Sequence, residues 1–255
     1  FKSFNRSNMP RFFVDTPLTT NLIGQIIALP DHVTHHWCKV LRASVGDCAF
    51  LFDGMGGEYT VTLTHIHKKS ASVKIDAYHP INRTPPFRAS IGLVMSRGDR
   101  MDYAIQKATE MGVHCIHLLT SDRCQAHLKY DRDFKKLTHW QSVAVAACEQ
   151  CGMNIIPNII APILLDEWVA NCQDELKLVL ALSENNPTFN KLVPKNISLL
   201  IGAEGGLSPR EIDLAIHHGF VPWRIGERVL RTETAPVVAL SALTLLAELN
   251  HSPLN

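Results

Sequence analysis

The sequence predicts an α/β protein in which a small β-barrel, residues 9–80, precedes a larger domain with a mainly parallel sheet, residues 88–255. Short strands follow one another closely before residue 80, which is typical of a small barrel. Strands and helices alternate after residue 88, which indicates a parallel sheet with helices on both faces. Residues 82–87 join the two parts and contain two adjacent prolines, so we expect a stiff linker there.

Short apolar runs bounded by turn residues predict the elements of the barrel. Its expected elements are strands at residues 10–14, 49–52, 58–64 and 72–77 and a helix at residues 31–41. In the second domain the apolar period changes between that of a buried strand and that of a helix. The elements expected there are strands at residues 90–95, 114–119, 176–182, 197–201 and 221–225, and helices at residues 99–111 and 134–151, at residues 209–218, and from Pro236 onwards.

The composition is that of a globular protein, with 255 residues, 46% hydrophobic and 19% charged residues, and a net charge of +1. The charge is uneven, because residues 1–88 hold 10 Lys and Arg against 6 Asp and Glu, whereas residues 89–255 hold 15 against 18. A basic first part is a weak indication of contact with a polyanion such as RNA.

Three features predict a cytoplasmic protein. The longest nearly apolar run, residues 237–247, is shorter than the roughly 20 residues that a membrane-spanning helix needs. No charged-then-apolar signal peptide opens the chain, and residues 1–8 are interpreted as an upstream extension outside the predicted fold. The seven cysteines are scattered and odd in number, which fits reduced thiols.

Two groups of residues resemble metal sites, but structural roles are expected for both. Cys148 and Cys151 form a C-x-x-C pair inside a helical pattern, and no second pair completes a zinc site. His32, His35 and His36 have no carboxylates or cysteines near them in the sequence, so a polar helix face turned to solvent or to RNA is expected. The sequence therefore predicts no metal.

Two loops follow strands near the end of the chain and predict a binding site. The first, after residues 197–201, contains Gly202, Gly205 and Gly206, and Ser208 then caps a helix whose third residue is Glu211. The second, residues 227–234, carries several charges and leads into the last helix. If the two strands are parallel, both loops leave the same edge of the sheet, where ligands bind in open α/β folds.

The residues alone leave the ligand open. Glycines that only make tight turns are the alternative interpretation, although charges on both loops favour a binding site. Neither a G-K-S/T sequence nor G-x-G-x-x-G follows the first strand, and Glu204 would oppose a phosphate. A ligand with cationic character and a hydrogen-bonding base suits the loop better.

Several motifs in order resemble one known family. The segments that carry the resemblance are residues 9–13 (MPRFF), 40–42 (VLR), 95–98 (MSRG), 105–112 (IQKATEMG), 149–152 (EQCG), 201–206 (IGAEGG) and 229–235 (VLRTETA). Together they resemble the RsmE-type ribosomal RNA methyltransferases of the SPOUT superfamily, over nearly the whole chain.

The resemblance implies a PUA-like β-barrel followed by a SPOUT domain with a deep C-terminal trefoil knot. It implies a homodimer that methylates N3 of a uridine in 16S ribosomal RNA of the small ribosomal subunit, with S-adenosyl-L-methionine as cofactor. The cofactor contacts that it implies are Leu182, Ser183, Ile201, Gly202, Glu204, Gly205, Ile225, Leu230, Thr232, Thr234 and Ala235.

Catalytic and RNA-binding roles are expected for charged residues on the resembling segments. Arg231 is expected to stabilise negative charge on the uracil oxygens, and Arg11 to hold substrate. Glu233 or Glu204 is expected either to act as a base or, preferably, to orient Arg231 and the cofactor, because a carboxylate near arginines has a lowered pKa. The expected RNA contacts, for which solvated surface charge is the alternative, are Arg11, Arg42, Arg97, Arg100, Lys107 and Arg123.

Two other functions remain compatible with the sequence. An RNA-binding protein of the same fold without catalysis is disfavoured by the intact loop at residues 230–234. A nucleotide-dependent enzyme with a doubly wound sheet is disfavoured by the missing phosphate motifs.

Overall fold

The computed structural model describes residues 9–96, 98–124, 130–182, 187 and 193–251. The chain forms two compact units. The first contains Phe1–Arg83 and Cys148–Ile156, and the second contains Thr84–Ala147 and Pro157–Asn255. No sequence pattern indicates that residues 148–156 return to the first unit. None of the helices in the described ranges is long and apolar enough to cross a membrane.

The first unit is built on a five-stranded sheet with the order β1-β3-β4-β5-β2. Its elements are β1 (Arg11–Phe13), β2 (Ile26–Ala28), α1 (Asp31–Thr34), a π-helical stretch (His35–Val40), β3 (Cys48–Phe52), β4 (Glu58–Ile66) and β5 (Ala71–His79). Strand β1 pairs with β3 in parallel, and the other pairs are antiparallel. Alternate residues of β4 and β5, such as Val61, Leu63 and Ile75, are fully buried because successive side chains point to opposite faces.

A buried carboxylate connects the parts of the first unit. Glu58, whose side chain is 1% exposed, accepts hydrogen bonds from Nη1 of Arg11 and of Arg83, the latter at 3.2 Å. Asn154 Nδ2 donates to the same carboxylate oxygen at 3.3 Å, and Arg83 also donates to the Gly152 carbonyl at 2.7 Å. Residues 148–156 are therefore held to the first unit by a hydrogen-bonded charge network as well as by apolar packing around Phe52.

The second unit contains a six-stranded sheet with the order β11-β9-β10-β6-β7-β8. All of its strand pairs are parallel. Its elements are β6 (Arg88–Val94), α2 (Arg100–Glu110), β7 (Cys115–Thr120), α3 (Tyr130–Cys151, whose last residues belong to the first unit), β8 (Asn158–Leu164), α4 (Leu165–Asn171), β9 (Leu176–Leu180), β10 (Asn196–Ile201), α5 (Pro209–His217), β11 (Val221–Trp223) and α6 (Ala235–His251). The central strands β6 and β10 are buried along most of their length, as is typical of a parallel sheet.

The predicted α/β class and parallel sheet are confirmed, with additions. Ser208 and Glu211 form the predicted capping box, in which each side chain accepts the other residue's backbone N–H. Strands β2 and β8 and the short helix α4 were not predicted. Strand β8 contains Pro162 and lies at the sheet edge, and α4 has no side-chain cap, so neither carries a strong sequence pattern. The trefoil knot stays a prediction.

We expect Glu58→Gln to lower the free energy of unfolding of the first unit by about 3 kcal/mol, because two guanidinium groups lose their buried anion. Hydrogen exchange of the β4 amides measures this loss. The same substitution at the exposed Glu167 is the control and should leave those amides unchanged. Equal β4 protection in all three proteins would contradict the role of the network.

The effect should depend on pH. Burial raises the pKa of Glu58, but the hydrogen bonds and charges of Arg11 and Arg83 outweigh burial and hold it below the ordinary value of 4.5. A lowered folded-state pKa contributes stability that is complete above the unfolded value and is lost as the pH falls through the folded value. The difference between the wild type and Glu58→Gln should therefore shrink as the pH falls below 4.5.

Candidate active site

A cavity of about 310 Å³ lies at the carboxyl ends of β9, β10 and β11 in the second unit. Three segments that directly follow these strands supply most of its wall. The lining residues are Leu180, Ala181, Leu182, Ile201, Gly202, Ala203, Gly206, Leu207, Ile212, Trp223, Arg224, Ile225, Gly226, Arg228, Val229, Leu230, Thr232 and Ala235. The wall is thus mainly apolar, and its polar groups are backbone atoms, the side chains of Arg224 and Arg228, and the Thr232 hydroxyl.

The glycine loop, residues 202–207, folds back on its own first residue. Gly206 N–H donates to the Ala203 carbonyl at 2.8 Å, and Gly206 has a φ of +65°, which favours glycine. A Cβ atom on Gly202 would lie 2.9 Å from the carbonyl carbon of Gly206 and 3.0 Å from the nitrogen of Leu207. Only glycine at position 202 permits this close backbone approach.

Two arginines, Arg100 and Arg123, bond to the glycine loop. Arg100 Nη1 pairs with Glu204 Oε1 at 2.5 Å, and Arg123 Nη1 donates to the carbonyls of Gly205 and Leu207. Burial raises the pKa of Glu204, but hydrogen bonds from its own backbone amide and from Arg100 outweigh burial, so that the pKa is lowered. Glu204 is therefore ionised at neutral pH and is a weak base.

The second loop places one hydroxyl in the cavity wall and one guanidinium in solvent. Thr232 is 4% exposed, and its Oγ1 has no hydrogen-bond partner among the described residues. The Arg231 side chain is 79% exposed, and its Nη1 lies 3.9 Å from Oε1 of the mostly buried Glu233. Oε2 of Glu233 is buried and likewise lacks a partner within the described part of the chain. Buried polar atoms without partners are rare in folded proteins, so both atoms are candidates for contact with a ligand.

The structure brings most of the expected cofactor contacts together. Those that line the cavity are Leu182, Ile201, Gly202, Ile225, Leu230, Thr232 and Ala235. Glu204, Gly205 and Thr234 belong to the same loops but are not among the described lining residues. Ser183 lies outside the described residues.

Four of the cations expected to bind RNA have partners within their own unit. Arg11 bonds to Glu58 and to Asn154, and Lys107 Nζ donates to Glu110 at 2.7 Å. Arg100 and Arg123 hold the glycine loop. Arg42 is exposed and has a φ of +57°, and Arg97 lies outside the described residues.

Several lining residues were not predicted. Arg228 and Val229 lie within the loop predicted at residues 227–234, whereas Arg224 and Gly226 lie just before it, at the end of the strand predicted at residues 221–225. Leu207 is the last residue of the glycine loop and Ile212 lies near the start of α5, and their apolar character carried no sign of a site. Throughout the described ranges, no group of three or more His, Cys, Asp or Glu side chains is arranged to hold a metal ion.

Comparisons with known proteins cover almost the whole chain. Residues 83–244 match a family model described as an RNA methyltransferase domain, and residues 29–76 match an RNA methyltransferase PUA domain. Ribosomal RNA small subunit methyltransferase E of Buchnera aphidicola (subsp. Acyrthosiphon pisum) is 33% identical over 94% of this chain and 95% of that protein. The Bacillus subtilis protein of the same name is 30% identical over 94% and 98%.

Solved structures agree with these matches. The ribosomal RNA small subunit methyltransferase E of Neisseria gonorrhoeae, bound to S-adenosylmethionine, superposes with a TM-score of 0.86 at 33% identity, covering 93% of this chain and 98% of that one. A Legionella pneumophila protein solved with the same bound molecule gives a TM-score of 0.87 at 36% identity, covering 93% and 97%.

Gly202→Ala is expected to distort the glycine loop, because the new Cβ meets backbone atoms that cannot rotate away. Calorimetric titration with S-adenosylmethionine, the ligand that the sequence resemblance implies, should show at least about tenfold weaker binding. Gly205→Ala is the matched control from the same loop, since its Cβ would lie in ordinary contact, 3.4 Å from Arg123 Cβ. Similar affinity in both variants would show that the close approach at Gly202 is not required.

Proposed function

The chain belongs to the RsmE-type family of ribosomal RNA methyltransferases, and from this premise we propose that it transfers a methyl group from S-adenosyl-L-methionine to N3 of a uridine in 16S ribosomal RNA. The observation that carries the proposal is the cavity formed by three strand-end loops, whose wall includes the Thr232 hydroxyl, which is buried and has no hydrogen-bond partner among the described residues. This arrangement favours catalysis over RNA binding alone, because RNA binding needs no such cavity.

The cavity fits the cofactor in size and chemistry. Its volume, about 310 Å³, is within the range of roughly 300–1,000 Å³ for small-molecule sites. Leu182, Ile225 and Leu230 offer apolar surface for an adenine ring, while the backbone near Gly202 and the Thr232 hydroxyl offer hydrogen bonds. When bound, S-adenosylmethionine supplies an electrophilic methyl group on a sulfonium centre.

The reaction requires the uracil N3 to give up its proton to solvent water. N3 then bonds to the methyl carbon as the bond between that carbon and the sulfonium sulfur breaks and the electron pair stays on sulfur. Before this attack, negative charge spreads to the uracil oxygens, and a positioned cation stabilises it. Arg231 suits this role, because its side chain is exposed, it lies between Leu230 and Thr232 of the cavity wall in the chain, and its Nη1 is 3.9 Å from Glu233 Oε1. Glu233 orients Arg231, whereas the ion pair with Arg100 keeps Glu204 from acting as a base.

The first unit is proposed to bind RNA through its exposed basic residues, Arg42 among them. Binding of this kind neutralises phosphates and therefore weakens as salt is added. Arg11 is proposed to stabilise the first unit instead of holding substrate, since its guanidinium is occupied by Glu58 and Asn154. We further propose that the protein acts as a homodimer in the cytoplasm, where it reaches the small ribosomal subunit.

The direct test is methylation of ribosomal subunits that lack modification. Incubation with the protein and S-adenosylmethionine, followed by mass spectrometry of the nucleosides, should show 3-methyluridine at a single position of 16S ribosomal RNA. Reactions without cofactor are the control. Methylation of another base or atom would overturn the proposed substrate, and binding of RNA without any methylation would support the RNA-binding alternative.

Arg231→Ala should lower kcat by about 10²–10³-fold, as the loss of a charge-stabilising donor does in other enzymes. Cofactor affinity and the unfolding temperature should stay close to those of the wild type, because the Arg231 side chain is largely in solvent. Arg231→Lys keeps the charge and should recover part of the rate. Wild-type turnover by Arg231→Ala would refute the catalytic role.

A further inference from the structure

The turn that follows β7, residues 121–124, lies against the glycine loop, and Arg123 makes the contact. Its Nη1 donates to the Gly205 carbonyl at 2.9 Å and to the Leu207 carbonyl at 3.1 Å. The arginine stem also runs along the loop, since a Cβ on Gly205 would lie 3.4 Å from Arg123 Cβ. These charge-assisted bonds fix two carbonyls of the glycine loop.

The same turn holds the beginning of α5. The backbone N–H of Asp122 donates to Oε1 of the fully buried Glu211 at 2.8 Å. Ser208 Oγ donates to the Asp122 carboxylate at 2.7 Å, and Arg210 donates to both of its oxygens at 3.0 Å. Residues 121–124 are therefore held to α5 by hydrogen bonds. These bonds fix the backbone from which the Arg123 side chain extends to the glycine loop.

The part of the glycine loop that Arg123 holds also contributes to the cavity wall. Gly206 and Leu207 line the cavity, whereas the Gly205 and Leu207 carbonyls accept from Arg123. Without Arg123 both carbonyls would turn to solvent, and the loop would have to be ordered each time a ligand binds. Ordering a loop on binding lowers affinity, while holding it in advance raises affinity.

We propose that Arg123 is a positioning residue that pre-organises the glycine loop for S-adenosylmethionine and does not itself contact RNA. The inference rests on the proposed function, since it concerns the same cavity. It replaces the phosphate contact expected for Arg123 with a contact inside the second unit. The residue acts through the Gly205 and Leu207 carbonyls and touches neither the cofactor nor the reacting base.

Arg123→Ala tests this role by separating affinity from rate. The Kd and KM for S-adenosylmethionine should rise about tenfold, while kcat at saturating cofactor stays within about twofold of wild type. Arg88→Ala is the control, since this exposed arginine lies at the amino end of β6 and bonds to His114. It should leave all three quantities unchanged.

RNA binding separates the two possible roles of Arg123. Loss of a phosphate contact would reduce the slope of log K against log salt by about 1, whereas a positioning role leaves that slope unchanged. A reduced slope with unchanged cofactor affinity would overturn the proposal, and so would unchanged affinity and KM. A fall in kcat with no change in KM would also contradict it.

The unfolding temperature shows whether each variant folds. If Arg123→Ala does not fold, Arg123→Lys carries the test, because its ammonium keeps a cation but not the guanidinium geometry. Cofactor affinity below that of the wild type then supports the proposal, and equal affinity overturns it. Failure of the wild-type protein itself to bind S-adenosylmethionine would instead refute the proposed function.

Discussion

All six strands of the second unit run in the same direction, and the candidate site depends on this constraint. Because parallel strands present their carboxyl ends at one edge, the residues that directly follow β9, β10 and β11 lie close together there and line one cavity. The turn after β7 reaches the same edge, which is why Arg123 bonds to a loop 82 residues further along the chain. Cavity wall and supporting contacts thus follow from one topological feature.

Local patterns made much of this unit predictable. The apolar runs, the Ser208–Glu211 capping box and the glycines after β10 each specify a conformation through neighbouring residues alone. The return of residues 148–156 to the first unit depends instead on Glu58 meeting Arg11, Arg83 and Asn154, which are far apart in the sequence. Strand β8 and helix α4 escaped prediction because a proline and an uncapped start weaken their patterns. The loops of the site could therefore be predicted from the sequence, but the partners of their charged side chains could not.

Those partners change the electrostatic interpretation of the molecule. Arg11, Arg100 and Lys107 were expected to contact RNA, yet each is paired with a carboxylate of its own unit. A paired arginine gains less from a phosphate, because the approaching anion must compete with the carboxylate that is already there. Within the first 88 residues, Arg11 and Arg83 are both paired with Glu58, so the number of basic residues there overstates the number of cations available to RNA. Exposed groups such as Arg42 are therefore better candidates for RNA contact than the paired cations.

The choice between a methyl donor and a nucleotide phosphate also rests on different residues than the sequence indicated. Besides the missing phosphate motifs, Glu204 was a reason to disfavour a phosphate, but Arg100 neutralises it and it is not part of the described cavity wall. The stronger argument lies at the start of α5, where a phosphate would seek free backbone N–H groups. Pro209 has no N–H, and Ser208 Oγ already accepts from the Glu211 N–H. The carboxylates of Asp122 and Glu211 occupy the same helix end, so this terminus repels an anion, and the adjoining cavity is left to a ligand that binds through apolar surface and a few hydrogen bonds.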